Sequence, residues 1–167
     1  MVALNNRAQP SILKIDSRIR LRAYDGDYQV AIPWYQDETV YYNSEGIFDP
    51  ADIPDAEYVR GMYEYLSTHG ELYFIEILED GEFMAIGDVT LKAENPPIVI
   101  GVPKYRGVGI GTKVMKAILR RAKEIGITKI YGSTIYDYNI ASQRLHETLG
   151  FECVEIRGNE RIYELEL

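Results

Sequence analysis

The chain has 167 residues, of which 46% are apolar and 26% are charged. This length suits one globular domain with a sizeable core, and the composition excludes a disordered or fibrous protein. No apolar run approaches the length of about 18 residues that a membrane span requires, and the first residues lack the pattern of a signal peptide. The single cysteine, Cys153, cannot form an internal disulfide, so we expect a cytoplasmic protein.

The charge is distributed unevenly along the chain. The net charge of −8 argues against a general nucleic-acid binder, which normally carries a basic face. Residues 25–94 contain 17 acidic side chains and two basic ones, whereas residues 1–24 carry a net charge of +4 and residues 95–167 one of +3. An acidic part joined to a mildly basic part predicts two ligands of opposite charge, and an acidic surface that only aids solubility is the alternative.

The first half of the chain combines strand and helix patterns. Polar and apolar residues alternate over residues 17–23, as in a strand with one buried face. The predicted order is a strand at 17–23, two short helices around Pro33, a helix from Pro54 to Gly70, and a hairpin of strands at 71–78 and 83–91.

The second half continues the alternation of strands and helices. The uninterrupted apolar run at 97–102 indicates a central strand covered on both faces. The elements predicted after it are a helix from about 113 to 125, a strand at 129–135, a helix at 140–149 capped by Asn139, and strands near 151–156 and 161–165. We therefore predict one mixed α/β domain over residues 1–167.

Three glycines separate the strand at 97–102 from the next helix. Gly107, Gly109 and Gly111 have no side chains, so their backbone N–H groups can face an anion without steric conflict. The helix N-terminus adds unpaired N–H groups and the positive end of the helix dipole, and Lys104 and Arg106 add cationic charge. The segment predicts a site for a phosphate or pyrophosphate.

Two common phosphate loops do not fit this segment. A Walker loop requires Gly-Lys followed by Ser or Thr, whereas Gly111 is followed by Thr112-Lys113. A dinucleotide fingerprint requires glycine at position 112 and an acidic residue about twenty positions later, and residues 129–132 contain no acid. A glycine-rich turn that only lets a helix pack close to a strand is a further alternative.

A third pattern fits the segment. Residues 106–111, Arg-Gly-Val-Gly-Ile-Gly, match [Q/R]-x-x-G-x-[G/A], the acyl-CoA pyrophosphate loop of the GNAT N-acetyltransferase superfamily. A second block, at residues 139–151, resembles the family's N-x-x-[A/S]-x-x-x-[Y/L]-x-x-x-G-F segment in order and spacing. Two such blocks are more specific than a lone glycine motif, and the resemblance closely covers residues 80–156.

The resemblance implies a fold and a co-substrate. The expected fold is a single α/β domain whose central, mostly antiparallel sheet is splayed at the acyl-CoA site and flanked by about four helices. The expected co-substrate is acetyl-CoA, without a metal, since two distant histidines and one cysteine form no ligand cluster. The resemblance implies that the backbone groups of Val99, Ile100 and Gly101 bind the pantetheine arm. It implies that Asn139 reaches this arm or the neighbouring backbone. The residues implied at the pyrophosphate are Arg106, Gly107, Val108, Gly109, Ile110, Gly111 and Thr112.

The implied reaction is transfer of acetyl to a primary amine by direct attack on the thioester. The amine must be neutral to attack, so a base must accept its proton, and an N–H near Ile100 would stabilise the oxyanion. His146 stands where the family often carries a tyrosine acid, and Glu94 is the candidate base, with Asp88 behind it. A packed histidine on a helix face and an ordinary hairpin acid are the structural alternatives for these residues.

The acceptor site is implied in the first helices. The run Trp34, Tyr35, Gln36, Asp37, Glu38 resembles a segment of the aminoglycoside 6′-N-acetyltransferases and of the ribosomal-protein N-terminal acetyltransferases. Carboxylates beside aromatic rings suit a cationic amine, either a small molecule or a peptide N-terminus. We expect no nucleic-acid or membrane partner, and a homodimer is compatible with the resemblance. The alternative function is a non-catalytic acyl-CoA sensor of the same fold.

Overall fold

The computed structural model describes residues 3–167, which form ten strands and five α-helices. The strands are β1 (Ala3–Leu4), β2 (Arg7–Ala8), β3 (Ile12–Lys14), β4 (Ile19–Ala23), β5 (Glu71–Glu79), β6 (Glu82–Leu91), β7 (Ile98–Ile100), β8 (Lys129–Tyr136), β9 (Glu152–Arg157) and β10 (Glu160–Glu166). The helices are α1 (Ile32–Tyr35), α2 (Glu38–Glu45), α3 (Ala56–His69), α4 (Ile110–Glu124) and α5 (Ile140–Thr148).

The larger sheet has five antiparallel strands in the order β3-β4-β5-β6-β7. Successive side chains of a strand face opposite sides, so β5 is buried on both faces. Tyr73 and Ile75 belong to the core that includes Val114 of α4, whereas Leu72 and Phe74 belong to the core under α1, α2 and α3. The sheet is therefore sandwiched between α4 and the three N-terminal helices.

A smaller antiparallel sheet, in the order β8-β10-β9, continues beside the first. The two sheets meet in parallel fashion at one point, where Asn95 N donates to Tyr131 O at 2.8 Å and Tyr131 N donates to Ala93 O at 2.9 Å. Beyond this junction β7 pairs with β6 and β8 pairs with β10. The carboxyl ends of β7 and β8 consequently diverge and leave an opening between the sheets.

A bulge ends β7. The consecutive amides of Gly101 and Val102 both donate to Ile86 O, at 2.7 and 3.2 Å, which is the two-against-one pattern of a β-bulge. Gly101 packs directly beneath the ring of Trp34, where a Cβ atom would overlap the indole. The bulge bends the chain away from the sheet and leads it into the glycine segment.

The predicted mixed α/β architecture, with a mostly antiparallel and splayed sheet, is present. Five α-helices flank it instead of about four, since α1 is a separate single turn. Helix α4 begins at Ile110 and not near Lys113, because Gly109 takes the cap position with φ +88° and Gly111 lies inside the first turn. The short strands β1, β2 and β3 were not predicted, since none exceeds three residues.

Candidate active site

The opening between β7 and β8 holds a cavity of about 650 Å³. It is lined by residues of α1, α2, α3, the segment before β7, β7 itself, the glycine segment, the start of α4, β8 and α5. Residues from both sequence blocks that carry the family resemblance therefore lie on one cavity. Its size and its apolar walls with a few polar groups are typical of a small-molecule site.

The start of α4 forms one end of this cavity. Lys113 N donates to Gly109 O at 3.3 Å, so the amides of Ile110, Gly111 and Thr112 have no acceptor within the helix. Unpaired N–H groups and the helix dipole attract an anion at this position. Gly111 and Thr112 also line the cavity.

Two glycines shape the loop that precedes α4. Gly107 and Gly109 have φ angles of +69° and +88°, which L side chains rarely adopt, and both line the cavity. A Cβ atom at either position would meet no protein atom within 4 Å, so it would occupy space open to a ligand. Val108 between them is exposed. These features fit a pyrophosphate held by backbone groups.

Arg106 connects the loop to β7. Its Nε donates to Ile100 O at 2.8 Å and its Nη2 donates to Gly101 O at 3.2 Å. Its Nη1 lies 3.4 Å from Oδ1 of Asp37, the cap of α2. The guanidinium thus supports the end of the strand, and both backbone groups of Gly101 are used within the protein, because its N–H donates to Ile86 O.

The free edge of β7 faces the opening. Pro97 O and Gly101 N are bonded to β6, and Val99 is the register partner of Asp88 on that strand. Since backbone groups alternate in direction along a strand, those of Ile98 and Ile100 point toward the opening. Ile100 O is taken by the guanidinium, which leaves the N–H of Ile100 as a donor at the cavity.

Asn139 closes the cavity from the side of α5. Its Oδ1 accepts the amide of Ser142 at 3.2 Å and so caps α5, and its Nδ2 donates to Asn43 O at 3.3 Å. Next to it, the Tyr138 hydroxyl donates to Tyr42 O at 2.9 Å. These two hydrogen bonds hold α2 against the segment between β8 and α5.

His146 lies on α5 at the cavity, with only 4% of its surface exposed. Its Nδ1 is 2.8 Å from Ser142 O, so Nδ1 carries the proton and Nε2 is the acceptor in the neutral ring. The ring packs edge-on against Phe151 at 4.8 Å. Burial lowers the pKa of His146, so the neutral form is favoured near pH 7.

The two carboxylates considered as base differ in position. Glu94 is exposed at the junction of the sheets, beside Gly132, and does not line the cavity. Asp88 is fully buried on β6, where its Oδ2 accepts hydrogen bonds from Tyr35 Oη at 2.8 Å and Tyr63 Oη at 2.6 Å. The structure therefore brings Asp88 next to a cavity side chain and leaves Glu94 outside.

The four predicted acceptor residues occupy different surroundings. Trp34 is buried against Gly101, away from the cavity, whereas Tyr35 lines the cavity. Asp37 caps α2 beside the guanidinium described above. Glu38 is exposed and does not line the cavity.

Among the cavity residues that the sequence analysis missed, three carry groups of chemical interest. Glu45, at the end of α2, lines the cavity and accepts a hydrogen bond from the Tyr58 hydroxyl. Ser133 on β8 is buried at the cavity, and its Oγ has no hydrogen-bond partner within residues 3–167. Arg144 on α5 is exposed at the cavity and forms no ion pair with the described acids. Glu45 belongs to the acidic segment already noted, but the segment alone does not single it out.

The cavity is electrostatically divided. Glu45 is a carboxylate at the end of α2, whereas the loop side carries the unpaired amides of α4 and Arg106, which is paired with Asp37, and α5 contributes Arg144. An anion is attracted to the loop side and a cation to Glu45. Within residues 3–167, no group of three or more His, Cys, Asp or Glu side chains could hold a metal ion, and no helix there is long and apolar enough to cross a membrane.

Comparison with known proteins identifies the family. A sequence model described as the acetyltransferase (GNAT) family matches residues 32–151. The chain therefore belongs to the GNAT acetyltransferase family, which confirms the predicted fold and the predicted class of enzyme, an N-acetyltransferase. No curated protein matches the chain significantly.

Solved structures share this fold. A domain from Methanocaldococcus jannaschii DSM 2661 is 26% identical, with a TM-score of 0.78 over 91% of this chain and 100% of that one. The microcin C7 self-immunity acetyltransferase MccE, in complex with acetyl-CoA and AMP, is 15% identical, with a TM-score of 0.70 over 95% and 97% of the two chains. RimL, a ribosomal L7/L12 alpha-N-protein acetyltransferase in complex with coenzyme A, is 14% identical, with a TM-score of 0.66 over 93% and 98%.

Proposed function

We propose that this chain transfers the acetyl group of acetyl-CoA to a primary amine of a cationic small molecule or of a peptide N-terminus. The observation that carries the proposal is the charge division of the cavity, with Glu45 on one side and the amides at the start of α4 on the other. A cationic amine and the anionic pyrophosphate of acetyl-CoA are complementary to these two sides.

Acetyl-CoA fits the loop side residue by residue. The amides of residues 110–112 would receive the pyrophosphate, and Arg144 would add a cation at its rim. The free N–H of Ile100 would donate to the pantetheine arm or to the oxyanion that forms from the thioester. Ser133 supplies a buried hydroxyl without a hydrogen-bond partner among the described residues, which a ligand amide would satisfy. MccE and RimL, whose structures contain acetyl-CoA and coenzyme A, have the same fold.

The acceptor fits the opposite side. Glu45 would pair with a charged group of the amine substrate, and the Tyr58 hydroxyl holds this carboxylate in place. We keep His146 as the candidate acid for the leaving thiolate in its imidazolium form, the minor form near pH 7, in which Nε2 carries the proton to be donated. Glu94 lies outside the cavity, so it would act as a base only through intervening water.

The proposal is tested by free-thiol release from acetyl-CoA in the presence of spermidine, kanamycin, lysine and a peptide with a free N-terminus. We expect turnover with at least one cationic acceptor, and mass spectrometry of the product should locate the acetyl group on nitrogen. Tight binding of acetyl-CoA without turnover of any of the four amines would contradict the proposal and favour the acyl-CoA sensor.

A further inference from the structure

Asp88 is a buried carboxylate that the co-substrate site does not use. Its Oδ2 accepts hydrogen bonds from two tyrosines, Tyr35 at 2.8 Å and Tyr63 at 2.6 Å. Its Oδ1 is also buried and has no hydrogen-bond partner within the described part of the chain. Burying a carboxylate with one oxygen unpartnered costs stability, so a purely structural role explains its presence poorly.

The two tyrosines approach Asp88 from different surroundings. Tyr35 comes from α1, and its side chain lines the cavity between the sheets. Tyr63 comes from α3, is fully buried, and packs against Tyr24 and Phe74 in the core. Tyr35 thus connects the cavity to the carboxylate, whereas Tyr63 contacts the carboxylate from inside the protein.

The groups around Asp88 favour proton uptake. Burial, with a smaller contribution from the charge of Glu45 on α2, raises its pKa to about 6 against the opposing effect of the two tyrosine hydroxyls. On the sheet, its register partners Phe74 and Val99 are apolar. The carboxyl is therefore mostly ionised at pH 7 to 8 and is more basic than an ordinary aspartate.

We propose that Tyr35 is a catalytic residue whose hydroxyl passes a proton from the acceptor amine to Asp88, which acts as the base through Tyr35. The proposal rests on the proposed amine acetylation. The base is then Asp88, which is fully enclosed in the core, and Tyr35 is the residue through which it acts on the substrate.

The proton transfers balance as follows. An N–H bond of the bound ammonium breaks as its proton joins the Tyr35 oxygen, and the original proton of this hydroxyl moves along the 2.8 Å hydrogen bond to Oδ2 of Asp88. The freed nitrogen lone pair forms the bond to the thioester carbonyl carbon. The C–S bond then breaks, its electrons leave with the sulfur, the thiolate takes a proton from protonated His146, and the second proton from nitrogen reprotonates the imidazole. The proton on Asp88 returns to solvent through the same hydroxyl after the products leave.

The pair of tyrosines supplies a matched experiment. Tyr35→Phe and Tyr63→Phe each remove one hydrogen bond to the same carboxylate oxygen, but only Tyr35 belongs to the lining of the cavity. The assay uses whichever of the four amines named above wild-type protein acetylates fastest, and acetyl-CoA affinity and the melting temperature are measured for each variant. We expect Tyr35→Phe to lower kcat about 100-fold, the usual range of acid–base catalysis, and Tyr63→Phe to lower it about threefold or less.

Asp88→Asn tests the acceptor of the proton. Its amide oxygen can still accept from both tyrosines, so we expect it to fold, to bind acetyl-CoA normally, and to lose the fall in kcat that wild type shows below about pH 6. The relay would be overturned by equal kcat losses in the two tyrosine variants, or by an Asp88→Asn variant that keeps the wild-type pH profile. In either case, turnover by wild type would still support the proposed function. If wild type acetylates none of the amines, the proposed function fails and the relay fails with it.

Discussion

The guanidinium of Arg106 donates from Nε to the carbonyl oxygen of Ile100 at 2.8 Å. The residue that opens the glycine segment therefore fixes the end of β7, where the N–H of Ile100 faces the cavity. Through this contact the loop proposed for the pyrophosphate and the strand edge proposed for the pantetheine arm form one structural unit. Asp37, 3.4 Å from the same guanidinium, extends this unit to α2.

Removal of the Arg106 guanidinium should uncouple the glycine loop from the end of β7. We expect Arg106→Ala to raise the KM for acetyl-CoA about tenfold or more, because hydrogen bonds from a charged donor contribute about 1.5–3 kcal/mol each. Initial rates at varied acetyl-CoA measure this. Lys104→Ala is the control, since Lys104 is exposed and its ammonium pairs with Glu79 at 3.7 Å. An equal effect of the two substitutions would mean that only the basic charge of this region matters.

Gly109, whose φ of +88° is left-handed, should be required for the binding of acetyl-CoA and not only for folding. Gly109→Ala places a methyl group in the space assigned to the pyrophosphate, and we expect acetyl-CoA affinity to fall at least tenfold in calorimetry. Gly81→Ala is the control, because Gly81 has a similar φ of +81°, also with open space at its Cβ, in the hairpin between β5 and β6, and does not line the cavity. Both substitutions should lower stability by about 1–2 kcal/mol through backbone strain. Unchanged acetyl-CoA affinity in Gly109→Ala would refute the location of the pyrophosphate site.

Glu45 should determine the affinity for a cationic acceptor. We expect Glu45→Gln to raise the amine KM about fivefold with little change in the acetyl-CoA KM, as for a partly exposed ion pair worth about 1 kcal/mol. The effect should shrink as the salt concentration rises. Glu38→Gln on the same helix is the control, since Glu38 is exposed and lies off the cavity. If Glu38→Gln has the larger effect, the acceptor binds at the outer face of α2.

His146 offers a test of the leaving-group acid. His146→Leu keeps an apolar side chain against Phe151, so we expect acetyl-CoA affinity to be preserved while kcat falls. Because burial lowers the pKa of His146, protonated imidazole becomes scarce as the pH rises, and kcat of wild type should decline on the alkaline side. A variant as active as wild type across this pH range would assign His146 a packing role only.

Asp88 should also make the free energy of unfolding depend on pH. Its folded pKa of about 6 lies above its ordinary value of 3.8, so the folded state binds the proton more tightly than the unfolded state. The contribution of Asp88 to stability is therefore complete below about pH 4 and is lost as the pH rises through 6, by about 3 kcal/mol in total. Urea unfolding of wild type and Asp88→Asn at pH 4 and pH 7 measures it. A stability difference between the two proteins that does not change with pH would contradict the raised pKa.

The local structure of the proposed co-substrate side was largely predictable because its residues are contiguous in the sequence. Residues 106–112 form a strand-to-helix turn, and the Asn139 cap begins the second block, so local patterns describe both. The start of α4 was placed three residues late because helix signals do not specify which of several glycines takes the cap position.

The acceptor and proton-transfer groups were less predictable because they depend on long-range packing. Tyr35 and Tyr63 lie 53 and 25 residues from Asp88 in the sequence, and no periodicity links them. Glu94 was predicted by position in the resemblance, but its backbone belongs to the junction with Tyr131, which leaves its side chain outside. Asp88 reaches a cavity side chain only because α1 and α3 pack on β6, which the sequence pattern does not reveal.

The most direct test of the central claim is thiol release from acetyl-CoA by wild-type protein with and without a cationic primary amine, compared with Glu45→Gln and Gly109→Ala. The account predicts amine-dependent release that needs a higher amine concentration in the first variant and a higher acetyl-CoA concentration in the second. Binding of acetyl-CoA with no amine-dependent release from any protein would contradict it.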